Sequence, residues 1–225
     1  MNWFTNLLSS TLGRKLIMAL TGLFLISFLV IHVSINAMVF YNDGGETFSH
    51  YGHFMGTNPI IRFLEIGLVL GFVFHIYQGF ALWKQNRAAR PVKYAYVVHP
   101  EHTKWYSRSM GLLGTLILLF LILHVSHFWI PNRMSQGLTH WENELDLYQM
   151  MLDIFQNPII VIVYVLGCFS LFWHLLHGFK SAFQSLGLNH VKYNAAISFV
   201  GTTFSIIVPL VFALIPVAIY FGYVH

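Results

Sequence analysis

A repeat constrains this chain more than any other feature. Asn58-Pro59-Ile60-Ile61 is followed, 17 residues after the asparagine, by His75 and then Gly79-Phe80. Asn157-Pro158-Ile159-Ile160 is followed, at the same 17-residue interval, by His174 and then Gly178-Phe179. Upstream of each copy a glycine leads after ten residues to His-Val-Ser: Gly22 to His32-Val33-Ser34, and Gly114 to His124-Val125-Ser126. The chain therefore divides into two halves. Each is an apolar stretch with a late histidine, a loop, an Asn-Pro step and a second apolar stretch with a late histidine. Four histidines occupy matched places in four apolar segments.

The medium around those segments follows from composition. The chain is 56% hydrophobic and 9% charged, against roughly 25% charged for a soluble domain. Runs of about 20 apolar residues, the length that crosses a bilayer, occur at about 14–41, 58–84, 107–130, 157–180 and 195–222. Backbone polar groups in lipid must be satisfied within the segment, so these spans are helices; a 17-residue Asn-to-His interval does not fit barrel strands. The expectation is an all-α integral membrane protein, one membrane domain over 1–225, with five transmembrane helices. Residues 1–13 read as a short amphipathic helix in the interface, not as a signal peptide. Residues 144–155 suggest a short surface helix, and 42–57 a polar loop. Trp105 and Tyr106 fit an interfacial aromatic belt.

The formal charge of +4 is sorted by topology. Arg14, Lys15, Lys84, Arg87, Arg90, Lys93, Lys104, Arg108, Lys180 and Lys192 flank one side of the spans, whereas Asp43, Glu46, Glu142, Glu144, Asp146 and Asp153 fall on the other. The positive-inside rule gives an inner N-terminus and an outer C-terminus. It also accounts for the basic bias without a nucleic-acid partner. The basic 84–108 loop suits anionic lipid or a partner on the inner face. Cys168, the only cysteine, reads as a small buried apolar residue, and the chain can form no internal disulfide.

Depth then sorts the histidines. At about 1.5 Å per residue, His32 lies roughly 27 Å past Arg14 and His124 roughly 24 Å past Arg108, both towards the outer side. His75 lies roughly 14 Å from Lys84, and His174 within two turns of Lys180, both towards the inner side. Two stacked pairs result. A single intramembrane histidine commonly bonds a carbonyl across a helix interface; four duplicated in register mark a site. Two neutral imidazoles on facing helices suit the axial positions of haem iron. Zinc requires four ligands, or three and a water, and neither level offers a cysteine or carboxylate. With both axial positions filled, such a haem carries electrons. The reading is therefore a four-helix haem-binding core holding two haem b groups on His32, His124, His75 and His174. The fifth helix, bent at Pro209 and Pro216, packs outside. Gly22, Gly71, Gly79, Gly114, Gly167 and Gly178 allow a flat ring or another helix to come close. His127 and His177 share helix faces with His124 and His174, but they align with Ile35 and Gln78 in the sister copies, so they read as supporting contacts rather than ligands.

These residues, in this order, resemble the single-chain, five-helix, two-haem cytochrome b anchor of succinate:quinone oxidoreductase, a family that includes succinate dehydrogenases and fumarate reductases. The resemblance covers essentially the whole chain. It rests on His32, His53-Phe54-Met55, Leu64-Glu65-Ile66, His75, His124-Val125, and His174 with Gly178. It implies the same four axial ligands, a multi-pass subunit of the bacterial cytoplasmic membrane, and two soluble partners on the inner face. Those partners are a flavoprotein with FAD that handles succinate or fumarate, and an iron–sulfur subunit. It further implies electron transfer to a membrane quinone, menaquinone, near the outer haem, where Glu65, Arg62, His50, His53 and Asn36 are the polar groups at hand. Two other readings compete: the cytochrome b anchor of a hydrogenase or formate dehydrogenase, and a cofactor-free histidine-containing transporter.

Overall fold

The computed structural model describes residues 10–88, 104–136 and 146–225, and all regular structure among them is helical. The helices are α1 (Thr11–Asn36), α2 (Glu46–Thr57), α3 (Pro59–Ala88), the single turn α4 (Trp105–Arg108), α5 (Met110–His124), α6 (Ile130–Gln136), α7 (Leu147–Ile154), α8 (Pro158–Ser185) and α9 (Val191–Tyr220). A 3-10 segment, Ala37–Tyr41, extends α1, and a π-helical segment, Val125–Trp129, joins α5 to α6. Five helical stretches are long and apolar enough to cross a membrane: Thr11–Tyr41, Pro59–Ala88, Met110–Ser135, Pro158–Ser185 and Val191–Tyr220. The chain is a multi-pass membrane protein. Residues 1–9 of the expected interfacial helix lie outside the described residues, as do 89–103 of the basic loop and 137–145 of the acidic one.

The Asn-Pro steps of the repeat are helix starts. Asn58 Oδ1 accepts the backbone N–H of Ile60 at 3.0 Å, and Asn157 Oδ1 that of Ile159 at 2.9 Å. Each proline follows at the first helical position, where its missing N–H costs no hydrogen bond. Ser10 caps α1 in the same way, accepting from Gly13 N at 3.0 Å. Helix α9 continues unbroken through Pro209 and Pro216, both buried.

The stretch 42–57 departs from expectation: it contains α2. Gly44 and Gly45 take left-handed φ of +68° and +81°, which turns the chain sharply enough for a helix to begin. The Asp43 carboxylate accepts N–H bonds from Gly45 at 3.1 Å and Thr47 at 3.0 Å. Only Phe48 of α2 is buried, so its apolar periodicity was too sparse to show in the sequence. Trp105 and Tyr106 also do more than face the interface. Their rings pack on Trp173 of α8, with centroids 4.7 and 5.3 Å away.

Neighbouring contacts order four of the spans in a ring: α1 packs on α3, α3 on α5, α5 on α8, and α8 on α1. The fifth span, α9, lies outside this ring, chiefly against α8 and secondarily against α1. Small residues let it close in. At Gly201 of α9 the Phe179 ring comes within 2.6 Å of where a Cβ would stand. The outward faces carry exposed side chains such as Ile60, Phe63, Ile159 and Val191, as lipid contact requires. At the end opposite Thr11, a compact cluster joins Val39, Phe48, Tyr148, Met151, Phe155, Tyr164, Ile219 and Val224. Tyr148 donates its hydroxyl hydrogen to the carbonyl of His225 at 2.9 Å, fastening the C-terminus to α7.

Two predictions follow from this end of the molecule. The Tyr148 ring lies directly against Gly45, where any Cβ would collide with it, and φ there is +81°. Gly45→Ala should cost about 1–3 kcal/mol from backbone strain alone, read as a lower melting temperature in detergent. Bonds from Thr47, its hydroxyl first, hold the Asp43 carboxyl below the usual carboxylate range. A depressed folded pKa stabilises above the unfolded value of about 3.9 and is lost as pH falls through the folded one. Asp43→Asn should therefore lower the melting temperature at pH 6–8 and lose that effect only in strong acid.

Candidate functional site

The four repeat histidines meet in two pairs. The rings of His32 on α1 and His124 on α5 have centroids 5.8 Å apart with planes at 85°. Those of His75 on α3 and His174 on α8 are 6.2 Å apart with planes at 62°. Within the ring of helices, α1 stands diagonally opposite α5, and α3 opposite α8. Each pair thus joins helices that are equivalent in the repeat, and reaches across the middle of the bundle. The two levels are offset along the helices. Gly22 lies against His75, with Cε1 3.5 Å from its Cβ position, and Gly114 lies against His174 at 3.9 Å. Since His32 and His124 each follow their glycine by ten residues, the pairs are roughly 15 Å apart along the axis.

This donor set fits haem. Two metal–nitrogen bonds of about 2 Å, together with the two ring radii, put the centroids of opposed axial imidazoles roughly 6 Å apart. Both observed separations match. Among the described residues, four buried polar side-chain atoms have no hydrogen-bond partner: His124 Nδ1, His174 Nδ1, Gln78 Oε1 and Trp173 Nε1. All lie on the paired histidines or beside them, Gln78 one turn past His75 and Trp173 next to His174. Buried polar atoms ordinarily have partners, and these four leave room for one beside the histidine pairs. Among the described residues no three His, Cys, Asp or Glu side chains converge as a metal site. The glycines divide their work. Gly22 and Gly114 face the His75 and His174 imidazoles, whereas Gly71 and Gly167 receive the Phe24 and Phe120 rings. Phe28 stacks on His32 at 5.1 Å and Phe120 on His124 at 5.7 Å.

The supporting residues are distributed unevenly. His127 Nδ1 lies 3.0 Å from the Tyr164 hydroxyl, with the two rings parallel. Tyr164 in turn packs edge-on to His124 at 6.0 Å. The π-helical segment directly after His124 sets the rotation of His127. His177 is half-buried one turn past His174. Nothing in the sequence marks Tyr164, which sits in an ordinary apolar run.

The polar residues expected near the outer pair form two groups rather than one. Asn36 Nδ2 donates to the His32 carbonyl at 2.8 Å and lies 3.4 Å from His32 Nδ1. Glu65 forms the second group. Arg62 Nη1 donates to it at 2.8 Å, Arg133 donates from Nε at 3.1 Å and Nη2 at 2.8 Å, and Trp129 Nε1 donates to the same carboxylate. The cluster ties α3 to the segment beyond α5. Its Arg133 and Trp129 members were not singled out from sequence; the cue was that Arg133 is one of only two basic residues on the acidic side. His50 and His53 lie exposed on α2, where His50 meets the ring of Tyr51.

Comparison with known proteins adds one relationship. The chain is 25% identical over 174 residues to the succinate dehydrogenase cytochrome b558 subunit of Bacillus subtilis (strain 168), across 76% of this chain and 77% of that protein. No protein-family model matches it. No solved structure matches it.

The Glu65 cluster generates a prediction. Glu65→Gln keeps the shape but removes the charge that two guanidinium groups share, and hydrogen bonds to charged groups contribute about 1.5–3 kcal/mol each. The variant should melt several degrees lower in detergent, and Arg133→Lys, which loses the planar two-pronged contact, should reproduce part of the loss. An unchanged melting temperature in both would show that the cluster does not hold α3 in place.

Proposed function

We propose that this chain, a relative of a succinate dehydrogenase cytochrome b subunit, is the membrane anchor of a succinate:quinone oxidoreductase of the single-chain, five-helix, two-haem type. The observation that carries the reading is the pair of diagonal histidine contacts, His32–His124 and His75–His174, at the separation that opposed axial imidazoles require. Bound at these two levels, haem b supplies one-electron carriage between the faces of the membrane. Every other part of the function belongs to residues of this chain or to its partners.

His32 and His124 at one level, and His75 and His174 at the other, would hold the haem irons, and groups held in this way would carry electrons rather than bind a small molecule. Phe28 and Phe120, stacked on the outer pair, keep that level apolar. His127, bonded to Tyr164, and His177 serve as supporting contacts at the outer and inner levels. The N-terminus lies inside and the C-terminus outside, because the basic residues gather at the Thr11 end and the acidic ones at the other. The inner basic face docks an iron–sulfur subunit, and through it a flavoprotein with FAD that performs the dicarboxylate chemistry. Haem held by His75 and His174 on the inner side, and by His32 and His124 on the outer, would supply the relay between the iron–sulfur subunit and the quinone. The quinone, menaquinone, docks at the outer rim. There Asn36 lies beside His32, and Glu65, fixed by Arg62, Arg133 and Trp129, borders the rim; His50 and His53 on α2 complete the polar groups available to its carbonyls. The subunit resides in a bacterial cytoplasmic membrane.

The tests are spectroscopic and genetic. The purified protein should show two low-spin haems per chain. His32→Ala and His124→Ala should each abolish the same one, and His75→Ala and His174→Ala the other. Expression with the partner subunits should give succinate-dependent quinone reduction that all four variants lose. A protein without visible absorption, or a His32 variant that loses the same haem as a His75 variant, would sink the assignment.

A further inference from the structure

The two inner histidines have unlike surroundings, although the repeat makes them equivalent. His75 packs against the Thr21-Gly22 step of α1, and His174 against the matching Leu113-Gly114 step of α5. Thr21 Oγ1 lies 3.3 Å from His75 Nδ1. At the equivalent place the buried Leu113 offers no acceptor, and His174 Nδ1 has no hydrogen-bond partner. A hydroxyl has one hydrogen, and that of Thr21 is directed to the carbonyl of Ile17 at 2.8 Å, with Met18 O at 3.2 Å. Its oxygen therefore faces His75 with lone pairs, and the contact is attractive only when Nδ1 carries the proton.

The geometry points to Thr21 as a positioning residue that accepts the Nδ1–H of His75, fixes the tautomer that leaves Nε2 bare, and sets the electron richness of one inner ligand but not the other. The inference rests on the haem reading above. A metal-bound imidazole that donates its second N–H is a stronger base and favours the oxidised iron. Losing the acceptor should raise the reduction potential of the inner haem alone.

The test is a redox titration of the purified haem-loaded protein, followed by visible spectroscopy, for the wild type, Thr21→Val and Thr21→Ser. Valine keeps the shape and removes the oxygen, whereas serine restores it. Thr21→Val should shift one midpoint potential upward and leave the other unmoved, with Thr21→Ser close to wild type. If Thr21→Val instead loses the inner haem while Thr21→Ser retains it, the positioning role also stands. Two haems with unchanged potentials in Thr21→Val, equal shifts in valine and serine variants, or loss of haem from both would overturn it. A wild-type protein with no haem would instead overturn the haem reading itself.

Discussion

An imidazole is costly to place in hydrocarbon, and this chain sets each of its four deep histidines opposite another from the diagonal helix. Much of the architecture serves that pairing. Adjacent helices around the ring pack closely, with Gly71 and Gly167 admitting phenyl rings from their neighbours. The diagonals meet through imidazoles. At Gly22 and Gly114 a histidine arriving from α3 or α8 lies at van der Waals distance from the Cβ position on α1 or α5. Helix α9 needs no polar interior, since it only covers α8 and part of α1.

The two ends of the bundle differ in kind. At the Thr11 end, Trp105, Tyr106 and Trp173 form an aromatic stack beside the inner pair. At the other end the chain builds a small core of the sort found in soluble proteins, with Val39, Phe48, Tyr148 and Val224 all buried. The Glu65 cluster adds an electrostatic tie between α3 and the stretch after α5. The π-helical Val125–Trp129 segment links these features to the outer pair. Its wider turns follow His124 immediately, so His127 reaches Tyr164 and Trp129 reaches Glu65 on the same short stretch. Such local departures from α geometry are common at functional sites.

The five spans and the pairing of the four histidines were legible in the sequence. Spans are long, apolar and bounded by charge, and the Asn-Pro starts fix their phase, so the 17-residue interval to His75 and to His174 carries over directly into depth. Residues whose roles arise from rotation about a helix were not legible. A sequence does not announce a π-helical turn, and without it neither Trp129 nor Arg133 points to Glu65. Tyr164 and Thr21 are single polar groups in apolar runs, and only the packing of neighbouring helices reveals what they touch. Helix α2 was hidden because its start depends on two left-handed glycines and it buries little.

The diagonal placement of equivalent helices has a geometric consequence. Both halves run in the same sense, so one is carried onto the other by a half-turn about an axis along the bundle, and each histidine pair straddles that axis. Two separate copies of a two-helix hairpin, associated as a symmetric homodimer, would already assemble both pairs. In that arrangement the two members of each histidine pair would be chemically identical. Joining the copies into one polypeptide releases them from that equality: threonine can stand beside one imidazole where leucine stands beside the other.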